Sequence, residues 1–243
     1  METRAFKDAI FEQFARVGAA FDSPKRIEII DVLAQGERTV DSIAGVTGMS
    51  TANTSRHLQV LRHGGLVVSR RQGLFTFYRV ADDSVLEGYR ALRVLAENRI
   101  SEVLLLADAF FGDVDGVEPV GFEELMSRAD SGDVLVIDVR PRLEFAAGHL
   151  PNAMNIPLDE ISHHIAELNP NADVVAYCRG PYCVLAAEAV KHLRESGVRA
   201  RRLEGGPLEW IASGRSLIVG DGATDGTAHP RTSSHHPMKG NKQ

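Results

Sequence analysis

Cysteine is almost missing from this 243-residue chain: there are two, Cys178 and Cys183, and residues 1–177 hold none. So few thiols exclude a disulfide scaffold, and chemistry in a reducing, cytoplasmic compartment is the expectation for the pair. Long hydrophobic runs are missing too. The most apolar stretch, Val103 to Phe111, is short and contains Asp108, so no membrane span and no membrane partner are expected. The opening METRAFKDAIFEQF carries acids and is expected not to be a secretory leader. A third absence is local. No acid occurs between Asp41 and Asp82, whereas Arg56, Arg62, Arg70, Arg71 and Arg79 all fall there. The net charge of −6 argues mildly against a nucleic-acid partner, but the charge is unevenly spread. Residues 1–112 carry 14 basic and 14 acidic side chains; the remainder carries 13 and 19. The arginine strip is therefore a phosphate-facing surface on an otherwise acidic chain.

Periodicity divides the chain in two. Helices are expected over about 4–20, with Phe6, Ile10, Phe14 and Val17 at helical spacing, and from Pro24 to about Leu33. Short helices at about 40–47 and 51–63 flank Gly48-Met49-Ser50. A hairpin is expected over 66–80 with Arg70-Arg71-Gln72-Gly73 as its turn, then one long helix over 82–111. The segment 112–119, GDVDGVEP, has linker composition. Beyond it helices alternate with the buried strands Val134–Ile137 and Val174–Tyr177, the pattern of a parallel α/β sheet. Residues 216–243 are poor in apolar side chains and are expected to be disordered. The expected domains are thus 1–111 and 120–215.

On the helix after Ser50, Thr54, Leu58 and Leu61 share a buried face. The other side presents Thr51, Ala52, Asn53, Ser55, Arg56, Gln59 and His63, small and hydrogen-bonding groups suited to base edges in a major groove. Arg70 and Arg71 would contact the flanking phosphates. A single polar helix face is ordinarily just a solvated surface; helix, turn, helix and basic hairpin in succession favour DNA. Residues 49–67, MSTANTSRHLQVLRHGGLV, resemble the recognition-helix signature of ArsR-type winged helix-turn-helix regulators. The resemblance implies a mainly α domain, double-stranded operator DNA as partner, and a homodimer built from the first and last helices. Metal-sensing members of that family use cysteine pairs or histidine and acid clusters. With no cysteine before Cys178 and no histidine between His63 and His149, no metal site and no cofactor are expected in this half.

The second half holds three motifs in order: VIDVRPRLEFAAGHLPNAMNIP at 136–157, YCRGPYC at 177–183 and GGPLEW at 205–210. Together they resemble a rhodanese-like domain, which implies a parallel-sheet α/β fold and sulfurtransferase chemistry with a small donor such as thiosulfate or a persulfide. The loop can be read independently. A cysteine where a strand runs through a tight loop into a helix meets converging backbone N–H groups, which favour an anion and are expected to lower the Cys178 pKa. Gly180 allows the turn and Arg179 adds charge. Cys178 would hold a persulfide, and Cys183 either resolves it or merely fills a small slot. A phosphatase loop would need an arginine at position 184, which is Val184. Asp138, Arg140 and His149 are expected to be structural supports of the site. Two functions follow: a regulator whose rhodanese domain senses sulfur, or a sulfurtransferase whose helix-turn-helix half mainly dimerises.

Overall fold

The computed structural model describes residues 2–115, 119–130, 134–165 and 173–220. The N-terminal half runs α1 (Thr3–Phe21), α2 (Pro24–Ala34), β1 (Arg38–Thr39), α3 (Val40–Thr47), α4 (Thr51–His63), β2 (Val67–Gln72), β3 (Phe75–Val80), α5 (Asp83–Arg99) and α6 (Ser101–Asp115). Thr39 caps α3 and Ser50 caps α4, each accepting a bond from the backbone N–H three residues on. Ile29, Ile30 and Leu33 of α2 pack with Leu58 and Leu61 of α4, Val67 and Tyr89.

Three local expectations are corrected. The hairpin turn is Gly73-Leu74, not Arg70–Gly73, because Gln72 pairs with Phe75. Gly73 has φ +60 and Leu74 does not share that sign, the arrangement of a two-residue type II′ turn. Arg70 and Arg71 therefore lie in strand β2. The long helix is broken at Ile100, whose backbone is extended, so it becomes α5 and α6. The helix also continues to Asp115, through part of the expected linker. The short β1 joins the wing to make a three-stranded sheet, β1-β3-β2.

The C-terminal half contains α7 (Phe122–Asp130), β4 (Leu135–Asp138), α8 (Arg142–Ala147), β5 (Met154–Asn155), a 3-10 turn at Leu158–Glu160, α9 (Ile161–His164), β6 (Asp173–Tyr177), α10 (Val184–Glu195), β7 (Arg199–Arg202) and α11 (Pro207–Ala212). Its strands form a parallel sheet in the order β5-β4-β6-β7. Strand β6 is buried on both sides, as central parallel strands are. Val174 and Ala176 face α10, while Val175 and Tyr177 face Trp210, Val120 and Leu150. The sheet thus brings Cys178 to the carboxyl end of its central strand, where ligands of open α/β sheets bind. Residues 216–220 are not a loose tail: Ile218 bridges His149 through reciprocal backbone bonds of 2.9 Å, and Gly220 donates to the Ala146 carbonyl. Residues 221–243, the rest of the expected tail, lie outside the described residues. Among the described residues no helix is long and apolar enough to cross a membrane.

Candidate functional site

The surface of α4 divides as its spacing predicts. Thr54, Leu58 and Leu61 are buried; Thr51, Ala52, Asn53, Arg56, Gln59 and His63 are exposed, and Ser55 is half-buried. Thr51 donates to Asp41 of α3 at 3.0 Å, tying the two helices at the turn. The wing arginines differ from one another. Arg70 is chelated by Glu37, at 2.5–2.9 Å, and lies 4.9 Å above the Phe77 ring. Arg71 is exposed and reaches the Gly73 carbonyl at 3.2 Å. Of the two, Arg70 is thus held by an acid, whereas among the described residues Arg71 meets only a backbone carbonyl.

The two thiols share one loop and touch. The Cys178 thiol donates to the Cys183 carbonyl oxygen at 3.2 Å. Cys178 is buried and Cys183 partly exposed. The backbone N–H groups of Gly180 and Ala186 draw the Cys178 thiol down, but burial outweighs them. The expected ionisation is nonetheless reversed. Burial pushes the Cys178 thiol up, while the bond donated by Cys178 brings Cys183 down to about 7. The resting pair therefore carries its anion on Cys183 and its proton on Cys178.

The backbone around the thiols is held tightly. Gly180 sits in the turn as expected and is not among the glycines with positive φ. It is needed for space, since a Cβ there would lie 3.3 Å from the Glu209 carboxylate. Gly206 packs directly under the loop: a Cβ would meet the Cys178 carbonyl oxygen and the Arg179 backbone at 2.5 Å. This explains the doubled glycine of GGPLEW. Arg202 donates to the Pro181 carbonyl at 3.0 Å.

The three supporting residues take structural roles. Arg140 lies fully buried and forks onto Asp138 at 2.6–3.1 Å while donating to the Gly148 carbonyl at 2.8 Å. Burial works against its charge, but the Asp138 carboxylate more than offsets that and raises its pKa. His149 stacks on Phe145 at 3.6 Å and donates from Nδ1 to the Phe145 carbonyl at 3.0 Å; burial lowers its pKa and keeps it neutral. Among the described residues no group of three or more His, Cys, Asp or Glu side chains is placed to hold a metal.

Arg179 and Arg140 tie the loop to the N-terminal half through partners that the sequence did not single out, and Arg93 and Tyr182 do so beside them. Arg179 makes a bidentate pair with Glu144 of α8 at 2.7–3.2 Å, and Arg38 of β1 bonds the same carboxylate. Burial opposes the Arg179 charge, but Glu144 more than offsets that and raises its pKa. Arg140 donates to Gln35 at 2.9 Å. Arg93 of α5 reaches Glu209 at 2.5 Å, and Glu209 accepts in turn from the Gly206 N–H at 2.9 Å. Tyr182, beside Cys183, donates to Glu97 of α5 at 2.8 Å. Glu144 stands inside the LEFAAGH run. Its partner Arg38 is 106 residues away, a separation at which periodicity carries no signal.

Comparison with known proteins agrees with this division. Residues 23–69 match the family described as "Bacterial regulatory protein, arsR family", and residues 122–213 match the "Rhodanese-like domain". The chain is 42% identical over 220 residues to the HTH-type transcriptional regulator Rv0324 of Mycobacterium tuberculosis, covering 90% of this chain and 96% of that protein. Over 108 residues it is 32% identical to a sulfurtransferase of Allochromatium vinosum, covering 44% of this chain and 99% of that one. A solved homodimeric winged helix-turn-helix DNA-binding domain from Mycobacterium bovis is 41% identical, with a TM-score of 0.39, over 41% of this chain and 91% of its own.

Proposed function

The chain belongs to the arsR family of bacterial regulatory proteins, in a form fused to a rhodanese-like domain, and from that premise we propose a cytoplasmic homodimeric repressor whose DNA binding answers to sulfane sulfur held on Cys178. Its DNA-binding half makes it a transcription regulator, with Asn53, Arg56 and Gln59 at the base edges and Arg71 on the phosphates. Dimerisation is supported by two helices that leave apolar faces bare. Phe6, Phe11, Phe14 and Val17 of α1 and Leu104, Leu105, Leu106 and Phe110 of α6 are all exposed, apolar surface that a second copy of the chain would cover.

The sulfur chemistry follows from the thiol pair. The Cys178 proton turns from the Cys183 carbonyl to the neighbouring Cys183 thiolate, which takes it and leaves a Cys178 thiolate beside the N–H groups of Gly180 and Ala186. That thiolate attacks the outer sulfur of thiosulfate. The new S–S bond forms as the donor's S–S bond breaks, sulfite leaves with the electron pair, and an anionic persulfide remains on Cys178. Cys183 can then attack the inner sulfur, forming a Cys178–Cys183 disulfide and expelling hydrosulfide. The loop at the end of β6, with the Cys178 thiol bonded to the Cys183 backbone, carries this reading. Its test is mass spectrometry of the full chain after thiosulfate or polysulfide, with a gel-shift in parallel. Wild type should gain one sulfur and change its DNA affinity; Cys178→Ser should do neither. A Cys178→Ser chain that still responds to donor sinks the sensor. Unaltered DNA binding by fully loaded wild type would leave a sulfurtransferase with a dimerising N-terminal half.

A further inference from the structure

A run of charged side chains leads from the sulfur loop to β1, the strand that joins the wing sheet. Arg179 immediately follows Cys178 and forks onto Glu144. Glu144 is almost completely buried, with 1% of its side chain exposed, and its carboxylate also takes Arg38, 7% exposed, from the other domain. Arg38 sits in β1, paired with Tyr78 of the wing strand β3, and it donates to Ser42 in the first turn of α3 at 3.0 Å. The adjoining residue, Glu37, is the one that chelates Arg70 of β2. The run therefore touches the wing sheet and the first helix of the helix-turn-helix, and ends next in sequence to the residue that holds a wing arginine.

We propose that Glu144 and Arg38 are the positioning residues through which the sulfur state of the Cys178–Cys183 loop reaches the DNA-binding wing. The inference rests on the reading that Cys178 takes up sulfur, and it names the route by which that event is felt.

The physics is competition for one buried carboxylate. Two guanidinium groups share Glu144, so whatever engages Arg179 from its other side changes the share left to Arg38. In a site shielded from water such competition is strong, because little solvent screens it. In the resting pair Arg179 already faces the Cys183 anion; loading moves that charge to the outer sulfur on Cys178, which shifts the pull on Arg179 and with it the share of Glu144 left to Arg38. A Cys178–Cys183 disulfide removes the loop anion, and Arg179 returns to compete for Glu144. Arg38 is thus held tightly or loosely according to where the loop carries its anion, and whether it carries one at all. Because it lies in β1 beside Glu37, its displacement alters the chelation of Arg70 and hence whether that arginine is released to a phosphate. The opposite flank of the loop is anchored differently, by Tyr182 on Glu97 and by Arg93 on Glu209. Those contacts hold the loop against α5, so a change of charge at the thiols is passed on through Arg179 rather than absorbed by movement of the loop as a whole.

The test uses the full chain, a DNA duplex selected from random sequence by the wild-type protein, and sodium tetrasulfide as donor. The quantity read is the ratio of DNA affinity with and without loaded sulfur, with the added sulfur measured by mass on the same samples. Wild type is expected to change affinity by about five-fold or more on loading. Arg38→Met and Glu144→Gln should gain sulfur as wild type does, yet keep a ratio near one. Arg38→Lys, which retains a charge that reaches Glu144, should recover part of the response. Arg142→Gln breaks the exposed Arg142–Glu160 pair in the same domain and should leave the wild-type ratio intact. If Arg38→Met and Glu144→Gln load sulfur and still show the wild-type ratio, the relay is wrong while the sensor stands. If wild type gains no sulfur from the donor, the sensor itself is wrong and the relay goes with it. Hydrogen exchange over β1 and β3 separates an unfolded variant from an uncoupled one: an uncoupled variant keeps protection in both strands and no longer changes it on loading.

Discussion

Cys183 stands at the N-terminus of α10 with its thiol brought down to about 7, chiefly by the hydrogen bond from Cys178. Cys178, walled in by α10 and β4, keeps its proton because burial disfavours the anion. This arrangement fixes the sign of a pH profile. Sulfur uptake from thiosulfate should rise with pH through about 7 and then level off, since the pair reacts only once its shared anion exists. Cys183→Ser removes the proton acceptor and leaves Cys178 with its elevated pKa. Its uptake should be slow at neutral pH and climb only in alkaline buffer. Stopped-flow measurement of sulfite release across pH checks this, and superimposable profiles for the two proteins would show that Cys183 plays no part. Gly206 offers a second test. The atoms a Cβ would strike at 2.5 Å are backbone of the cysteine loop and cannot swing aside. Gly206→Ala should cost about 1–3 kcal/mol and abolish sulfur uptake without unfolding α1–α4. Circular dichroism and the uptake assay together distinguish a disrupted loop from a disrupted fold.

At the scale of elements, long periodic segments are legible in the chain and short or irregular ones are not. The buried triad Thr54, Leu58 and Leu61 marks α4 because a helix with one apolar face needs that spacing. The apolar run before Cys178 marks β6 for the same kind of reason. Strand β1 has two residues, too few to show an alternation, and the break at Ile100 has no glycine or proline to announce it. The hairpin turn is hard to place because arginines and Gln72 look like turn residues, whereas Gly73 alone supplies the positive φ the turn needs. Its true position bears on DNA binding. With Arg70 and Arg71 in one strand, their side chains leave on opposite faces, and only Arg71 is unencumbered by an acid. Arg71→Ala should therefore weaken binding to all DNA sequences and reduce the slope of log affinity against log salt by about 1 for each phosphate no longer neutralised. Titration of labelled duplex at several salt concentrations measures it. An unchanged slope would place the wing away from the backbone. For α1, Phe11→Glu with Phe14→Glu should convert the dimer to monomer in sedimentation while Leu58 and Leu61 keep the domain folded.

Across the whole molecule, the boundary between domains is readable as a change of composition near residue 112, but the packing of one domain on the other is not. Gln35 and Arg140 lie 105 residues apart, and nothing in either neighbourhood marks one as the other's partner. The junction is more than polar. Leu208, from the helix that follows the doubled glycine, packs into the same apolar cluster as Ala20, Ile29, Ile30 and Leu33 of the DNA-binding half. Arg202 lies 4.3 Å over the ring of Phe111 on α6. A core that borrows a leucine from its neighbour, beside a buried carboxylate holding one arginine from each side, cannot unfold one half while leaving the other undisturbed. The full chain should therefore melt in a single transition, with calorimetric and van't Hoff enthalpies equal. Leu208→Ala removes the shared apolar anchor and should cost about 2–5 kcal/mol. Combined with Arg38→Met, which also severs the Glu144 link, it should divide the melt into two transitions. Sulfur uptake should then persist in the rhodanese-like half while its effect on DNA affinity disappears, because the two halves retain their own cores and part only from each other. A double variant that still melts as one unit would mean that other pairs, such as Arg93 with Glu209 and Tyr182 with Glu97, suffice to join them. The thermal scan of that variant, set beside the affinity ratio on the same preparation, tells whether coupling of stability and coupling of function run through the same side chains.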